Sequence, residues 1–161
     1  MKSLPLARFL ALVVPLLLLG GAYASQYLGS LHPCEMCWWQ RYPHMGAVPL
    51  ALIAYGTTRR PCVSALFAGL AALAIGISGA IGLFHAGVEY GWWQGLTACS
   101  TSPTAGNPAD ILNQIMATPI TRCDVAPWTL LGISLAGFNG LLSGASALAI
   151  FALLIKSRKE A

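Results

Sequence analysis

Charge is what this sequence has least of. Only 9% of its 161 residues are Asp, Glu, Lys or Arg, against roughly 25% in an ordinary soluble domain. That deficit excludes a water-facing surface over most of the chain. Strand-like alternation of polar and apolar residues is absent, as are internal repeats and low-complexity tracts, which excludes solenoids and disordered linkers. The net charge of +4 does not point to nucleic acid, because the basic residues stand at the ends of apolar runs instead of forming a patch. What remains is 57% hydrophobic. Lipid is the solvent such a composition suits, and a single domain over residues 1–161 is expected.

Four stretches are long enough to cross about 30 Å of hydrocarbon as helices, which takes about 20 residues. They run over approximately 9–28, 42–57, 63–84 and 128–155. The second is short and carries Pro43 and Pro49; the fourth exceeds the minimum, so it tilts or begins among the headgroups. The predicted fold is an all-α, four-transmembrane-helix bundle. Lys2, Arg8, Arg59, Arg60, Lys156, Arg158 and Lys159 then share one face. The positive-inside rule makes that face cytoplasmic, with both termini on it. Two loops lie outside, a short one at approximately 29–41 and a long one at approximately 85–127. The stretch Lys2–Ala24 also has the form of a signal peptide, with Ala22-Tyr23-Ala24 as a cleavage site. The apolar run continues to Leu28, past what such a leader needs, so a retained helix is expected.

The long outer segment is rich in Gly, Pro, Ser and Thr. Within it, Asn107-Pro108 reads as a helix start, followed by an apolar face of Ile111, Leu112, Ile115 and Met116. That face suits either the membrane surface or the bundle. Small residues recur every fourth position in the third span (Ala72, Gly76, Ala80) and the fourth (Ala136, Gly140, Gly144), as close-packed membrane helices require. Trp38, Trp39, Trp92, Trp93 and Trp128 all fall near the outer interface, where they form a belt or offer stacking surfaces to a flat cofactor.

The five cysteines are divided by this topology. Cys34, Cys37, Cys99 and Cys123 fall outside, where disulfides persist, and Cys62 falls on the opposite face. Cys34-Glu35-Met36-Cys37 stands just before the second span, where helix amides stabilise a thiolate. A zinc site completed by His32 or His44 is the structural alternative, and an oxidising compartment disfavours it; no metal is expected. Cys99 and Cys123 bracket the long loop. They either staple it, which stabilises by ~3 kcal/mol in the chain-entropy model, or exchange with the C-x-x-C pair through a mixed disulfide. Arg41 follows Cys37 by one helical turn. It is either an interfacial anchor or a cation that lowers the Cys37 pKa and binds a polar acceptor. His85 and, one turn beyond it, Glu89 carry the same two readings.

These residues, in this order, resemble the disulfide bond formation protein B family of bacterial membrane oxidases. The similarity covers nearly the whole chain: four spans, Cys34-Glu35-Met36-Cys37 with Trp38-Trp39-Gln40-Arg41 after it, His85-Ala86-Gly87-Val88-Glu89, and Cys99 and Cys123 in the second outer loop. The resemblance implies an enzyme of the bacterial inner membrane, active on the periplasmic face in oxidative protein folding. It would reoxidise a soluble thioredoxin-like dithiol oxidase and pass the electrons to a membrane quinone, ubiquinone or menaquinone. Cys99 would be attacked by the reduced partner, while Cys123 would pair with Cys99 at rest and exchange with Cys34. Cys37 would react with quinone, and Arg41 and His85 would hold the ring. Cys62 has no place in that scheme. The partner of this family is a strong oxidant at about −120 mV, so an ordinary structural disulfide below about −300 mV would be uphill by ~8 kcal/mol as its oxidant. A quinone supplies the missing pull.

Two alternatives stay open at this level. One is a vitamin K epoxide reductase-like enzyme, in which the loop cysteines precede the C-x-x-C, the reverse of the order here. The other is a membrane scaffold whose disulfides only staple its loops.

Overall fold

The computed structural model describes residues 3–96, 107 and 121–160. Four helices account for most of them: α1 (Leu4–Tyr27), α2 (Glu35–Gly56), α3 (Pro61–Glu89) and α4 (Leu135–Lys159). A two-stranded hairpin, β1 (Thr129–Leu130) with β2 (Ile133–Ser134), precedes α4. α1, α3 and α4 are long and apolar enough to cross a membrane. In α2, Glu35, Gln40, Arg41 and His44 make the first half polar, and it lies outside that class.

The helix starts follow from their first residues. Prolines at the beginning of α1 and α3 occupy positions whose N–H would have no partner anyway. The side chains of Cys34 and Ser134 cap α2 and α4 by accepting from the backbone N–H of Cys37 and Gly137. Lys156, Arg158 and Lys159 sit in the last turn of α4, where cations complement the helix dipole.

Alanine dominates the main core: Ala7, Ala11, Ala47, Ala51, Ala68 and Ala72 are fully buried, with Ile75 and Ile150 as its largest fully buried side chains. Small side chains let helix backbones approach closely, which is how membrane helices gain packing energy. The contact between α3 and α4 is the tightest. A methyl at Gly82 would lie 2.8 Å from Gly140 N and 2.9 Å from Ala136 O, and one at Gly79 would lie 2.9 Å from Gly144 N. Leucines such as Leu17, Leu73, Leu141 and Leu148 point outward instead.

The two ends of the bundle differ in chemistry. Ser3 donates to the Glu160 carboxylate through its backbone N at 3.2 Å and its hydroxyl at 3.3 Å. Arg8 Nη1 donates to Ser64 Oγ at 3.4 Å, and that hydroxyl donates to Ala54 O at 2.7 Å. These bonds gather the start of α1, the end of α2, the start of α3 and the end of α4 at one end, beside Arg59, Arg60 and the α4 cations. The cysteine motif, the end of α3 and the hairpin stand at the other.

Several sequence expectations are corrected here. α2 begins at Glu35 instead of 42, because the Cys34 side chain caps it; Cys37 therefore lies inside the first turn and not ahead of the helix. α3 continues to Glu89, so His85 and Glu89 are helical, and the segment that follows starts at Tyr90. The fourth helix begins at Leu135 and not at 128. Residues 129–134 instead form a hairpin, although the sequence shows no alternating pattern there. Its two-residue loop has positive φ at both Leu131 (53°) and Gly132 (78°), the turn geometry that matches strand twist. Ala80 is exposed, and Gly79 and Gly82 take its place against α4. A strict four-residue row drifts around a helix of 3.6 residues per turn. Cys99 and the helix expected after Asn107 lie outside the described residues.

Candidate active site

Capping brings the C-x-x-C sulfurs together. Cys34 accepts the Cys37 backbone N–H on Sγ at 3.4 Å, and its own S–H points at Cys37 Sγ, 3.0 Å away. Both are free thiols. The bond to Cys37, followed by burial, pushes the Cys34 thiol up to about 12. The proton of the pair therefore stays on Cys34, and negative charge develops on Cys37, beside the unpaired amides of the first turn of α2.

Behind Cys34 stands His85, 1% exposed. Its Nε2 lies 3.6 Å from Cys34 Sγ, 3.2 Å from the Cys123 carbonyl and 3.8 Å from Glu89 Oε1. Its Nδ1 lies 2.8 Å from Gln40 Nε2. The Gln40 amide is oriented by two further bonds: its nitrogen donates to Met36 O at 3.2 Å and its oxygen accepts from Asn139 Nδ2 at 2.9 Å. Gln40 is thus the donor to Nδ1, and His85 carries its hydrogen on Nε2, facing Cys34 and Cys123. Glu89 is tied in turn to the Ser134 hydroxyl that caps α4. Tyr90 fixes the hairpin by donating to Gly132 O at 2.9 Å and accepting from Ser134 N at 3.0 Å. Cys123 packs against the cluster of Cys34, Met36 and Val88. Its neighbours Arg122 and Asp124 form a bidentate pair at 2.9 and 2.6 Å, which holds the exposed Asp124 carboxyl below its usual range.

Two cavities meet at this pair. The first, of about 350 Å³, opens beside Cys34, His32, His85, Glu89 and Arg122. The second, of about 180 Å³, lies between α1, α2 and α4, with mostly apolar walls that include Leu17, Leu18 and Phe138. An engineered apolar cavity of about 150 Å³ accommodates benzene, so the second takes one six-membered ring. Its polar wall is formed by Cys37, Gln40, Arg41, His44 and Asn139. Cys37 lines both cavities.

Arg41, 6% exposed, is held against α1. It donates to Gln26 Oε1 at 2.6 Å and Ala22 O at 3.1 Å, and its guanidinium stacks between Tyr23 and Trp38 at 4.9 and 5.0 Å. The structure thus gathers Cys34, Cys37, Cys123, Arg41 and His85 around one point. Arg41 lines the apolar cavity, His85 lines the other, and Cys62 is exposed at the opposite end.

The donor atoms of Cys34, Cys37 and His85 all lie within 4.8 Å of one another, the spacing of a metal site. The hydrogen on His85 Nε2 occupies the lone pair a metal would need. Among the described residues, His32 and His44 are not part of that cluster. The apolar cavity has room for one flat ring with a polar edge.

Sequence reasoning passed over Gln40 and Asn139 and weighed His44 only as a zinc ligand. Asn139 is the hub of these polar contacts, donating also to Ser78 Oγ at 3.1 Å and to Ser78 O at 3.2 Å. The signal was available: a polar residue inside an otherwise apolar helix is a functional candidate, and Gln40 and His44 share the helical face of Cys37.

The family described as Disulfide bond formation protein DsbB matches residues 5–153. The chain is 27% identical over 151 residues to the Disulfide bond formation protein B of Marinobacter nauticus, covering 88% of this chain and 85% of the relative. It is 26% identical over 135 residues to an uncharacterized protein of Rickettsia prowazekii, covering 82% and 77%. No solved structure matches significantly.

Proposed function

The chain belongs to the disulfide bond formation protein B family, and from that premise we propose that it oxidises a soluble thioredoxin-like dithiol protein and passes the electrons to a membrane quinone. The observation that carries this reading is the position of Cys37, which lines both the thiol-facing cavity and the ring-sized apolar one. Electrons arriving as thiols on one side can leave on the other without either site moving.

Four spans are proposed, with α2 as the fourth, supported by its 22 residues and about 33 Å of length at 1.5 Å each. The basic end faces the cytoplasm, so the cysteine end faces the periplasm across a bacterial inner membrane. Cys99 takes the attack of the reduced partner, and Cys123, packed beside Cys34, relays the exchange inward. Cys34 closes onto Cys37. His85 Nε2–H steadies the sulfur of Cys34 through each exchange. Cys37 and Arg41 hold the quinone ring from the polar wall of the apolar cavity, whereas His85, on the other side of the pair, acts through Cys34. That division refines the joint ring-holding role that the family resemblance implies for Arg41 and His85.

A bound quinone supplies a two-electron sink: the dithiol loses two electrons and two protons as the S–S bond forms, and quinol results. The scaffold alternative gives no reason for a buried Arg41 on a ring-sized cavity.

The test is a single turnover. Purified protein, reduced and freed of reductant, is mixed with short-tailed ubiquinone and followed at the quinone absorbance. With quinone in excess, two quinols per fully reduced chain are expected, one from each cysteine pair, falling to none in Cys37→Ala. Unchanged absorbance with the wild-type chain rejects the proposal.

A further inference from the structure

Residue types alone do not separate this thiol site from a zinc site. Cys34, Cys37 and His85 place their donor atoms within 4.8 Å of one another. All three line the cavity of about 350 Å³ with Glu89, whose Oε1 lies 3.8 Å from His85 Nε2. Two thiolates, an imidazole and a carboxylate are donors that Zn²⁺ accepts. The difference lies in how His85 is held.

A histidine that ligates through Nε2 carries its hydrogen on Nδ1, where a carboxylate or carbonyl ordinarily accepts it. Here Nδ1 meets a donor, Gln40 Nε2 at 2.8 Å. Turning the Gln40 amide round would set its oxygen 3.2 Å from Met36 O, which only accepts, and its nitrogen 2.9 Å from Asn139 Nδ2. Turning Asn139 to suit would set its oxygen 3.2 Å from Ser78 O. At the other edge of the ring, the Cys123 carbonyl lies 3.2 Å from Nε2 and also only accepts. The backbone carbonyls of Met36, Ser78 and Cys123 thus agree on one tautomer, in which Nδ1 accepts and Nε2 donates.

We propose that Gln40 is a positioning residue that, through His85, withholds the third ligand a thiophilic divalent cation needs, and so keeps the reduced cysteine pair available for sulfur exchange. The proposal rests on the functional reading above only in taking the pair to act as thiols, and not on the identity of the electron acceptor. A cation entering the cavity displaces the thiol protons of Cys34 and Cys37 to water. To bind His85 it must also move the Nε2 proton to Nδ1, against the N–H of Gln40. Glutamate at position 40 would reverse this: it has the same shape, its carboxylate accepts from Nδ1, and the bare Nε2 then faces the sulfurs. Outer partners of this kind change metal affinity by about 10–100-fold.

The experiment titrates Zn²⁺ against a chromophoric chelator, with the full-length reduced chain in detergent near neutral pH and without oxygen. Cys62, Cys99 and Cys123 are replaced by Ala in every sample, so that only Cys34 and Cys37 offer thiols; the carbonyl of residue 123 is kept. Gln40→Glu is expected to bind Zn²⁺ about 10–100-fold more tightly than this parent, and His85→Phe in the Gln40→Glu background to lose the gain. In the parent itself, His85→Phe should leave the affinity unchanged, because His85 is no ligand there. Equal affinities of the parent and Gln40→Glu overturn the proposal. So does a gain that survives His85→Phe, since the new carboxylate would then itself be the ligand. Should Gln40→Glu fail to fold, the parent decides: weaker Zn²⁺ binding on His85→Phe means that His85 ligates with Gln40 in place, and overturns the proposal. Absence of quinol in the single-turnover assay would defeat the functional reading and leave these affinities to decide the role of Gln40.

Discussion

At the residue scale the proposed chemistry depends on an unequal pair of thiols. Cys34 donates its S–H to Cys37 and is buried, so its titration is displaced upward to about 12. An unfolded chain releases a cysteine proton near 8.5 and the folded chain holds it. The contribution of Cys34 to stability is thus full below about pH 8.5 and falls as pH rises toward 12. Reactivity follows the same sign. In the reduced protein, iodoacetamide should modify Cys37 first near neutral pH, with Cys34 labelled at a comparable rate only as pH nears that upper value. Cys37→Ala removes the largest cause of the shift and should move Cys34 labelling down toward the ordinary thiol range; identical pH profiles by peptide mass spectrometry would refute the asymmetry. Arg41→Met keeps the bulk but loses the charge, and should raise the apparent KM for quinone about tenfold, a loss typical of a hydrogen bond to a charged group. An unaltered KM makes Arg41 an anchor to α1. The cysteines and Arg41 were legible in the sequence, because their residue types and spacing carry chemistry by themselves. Gln40, His44 and Asn139 were not singled out as site residues, because their roles exist only once α2 and α4 face each other.

At the element scale, the site depends on how closely α3 and α4 approach. Gly140 is one of the tight points: a methyl there would lie 2.8 Å from the Leu83 side chain and 2.9 Å from its backbone nitrogen. Gly140→Val should destabilise the bundle by about 1–3 kcal/mol, the usual cost of overpacking, read from the midpoint of detergent unfolding. An unshifted midpoint would mean that the contact is not tight in the membrane. Asn139 is the residue immediately before it, so the same variant should also weaken quinone binding. Helices were legible from composition and length, whereas their ends were not. α2 starts early because a cysteine sulfur caps it, and α4 starts late because Tyr90 and Glu89, far away in sequence, hold the hairpin through Ser134. Propensity carries no record of such long-range bonds.

At the scale of the whole molecule, one end is basic and the other holds sulfur, His85 and the hairpin. Ser3 and Glu160 meet at the basic end, so both described ends of the chain lie there. Between the ends runs an alanine core, and in the proposed function the chemistry lies at the cysteine end with an acceptor drawn from the bilayer beside it. The proposed function therefore requires the reaction to be directional. Sealed vesicles carrying ubiquinone and the protein in one known orientation, treated with a membrane-impermeant reduced dithiol protein, test that directly. Quinol should appear when the dithiol is on the side of Cys34, Cys37 and Cys123 and not when it is on the side of Lys156, Arg158 and Lys159. Equal quinol from both sides, or quinol only from the basic side, would contradict the account.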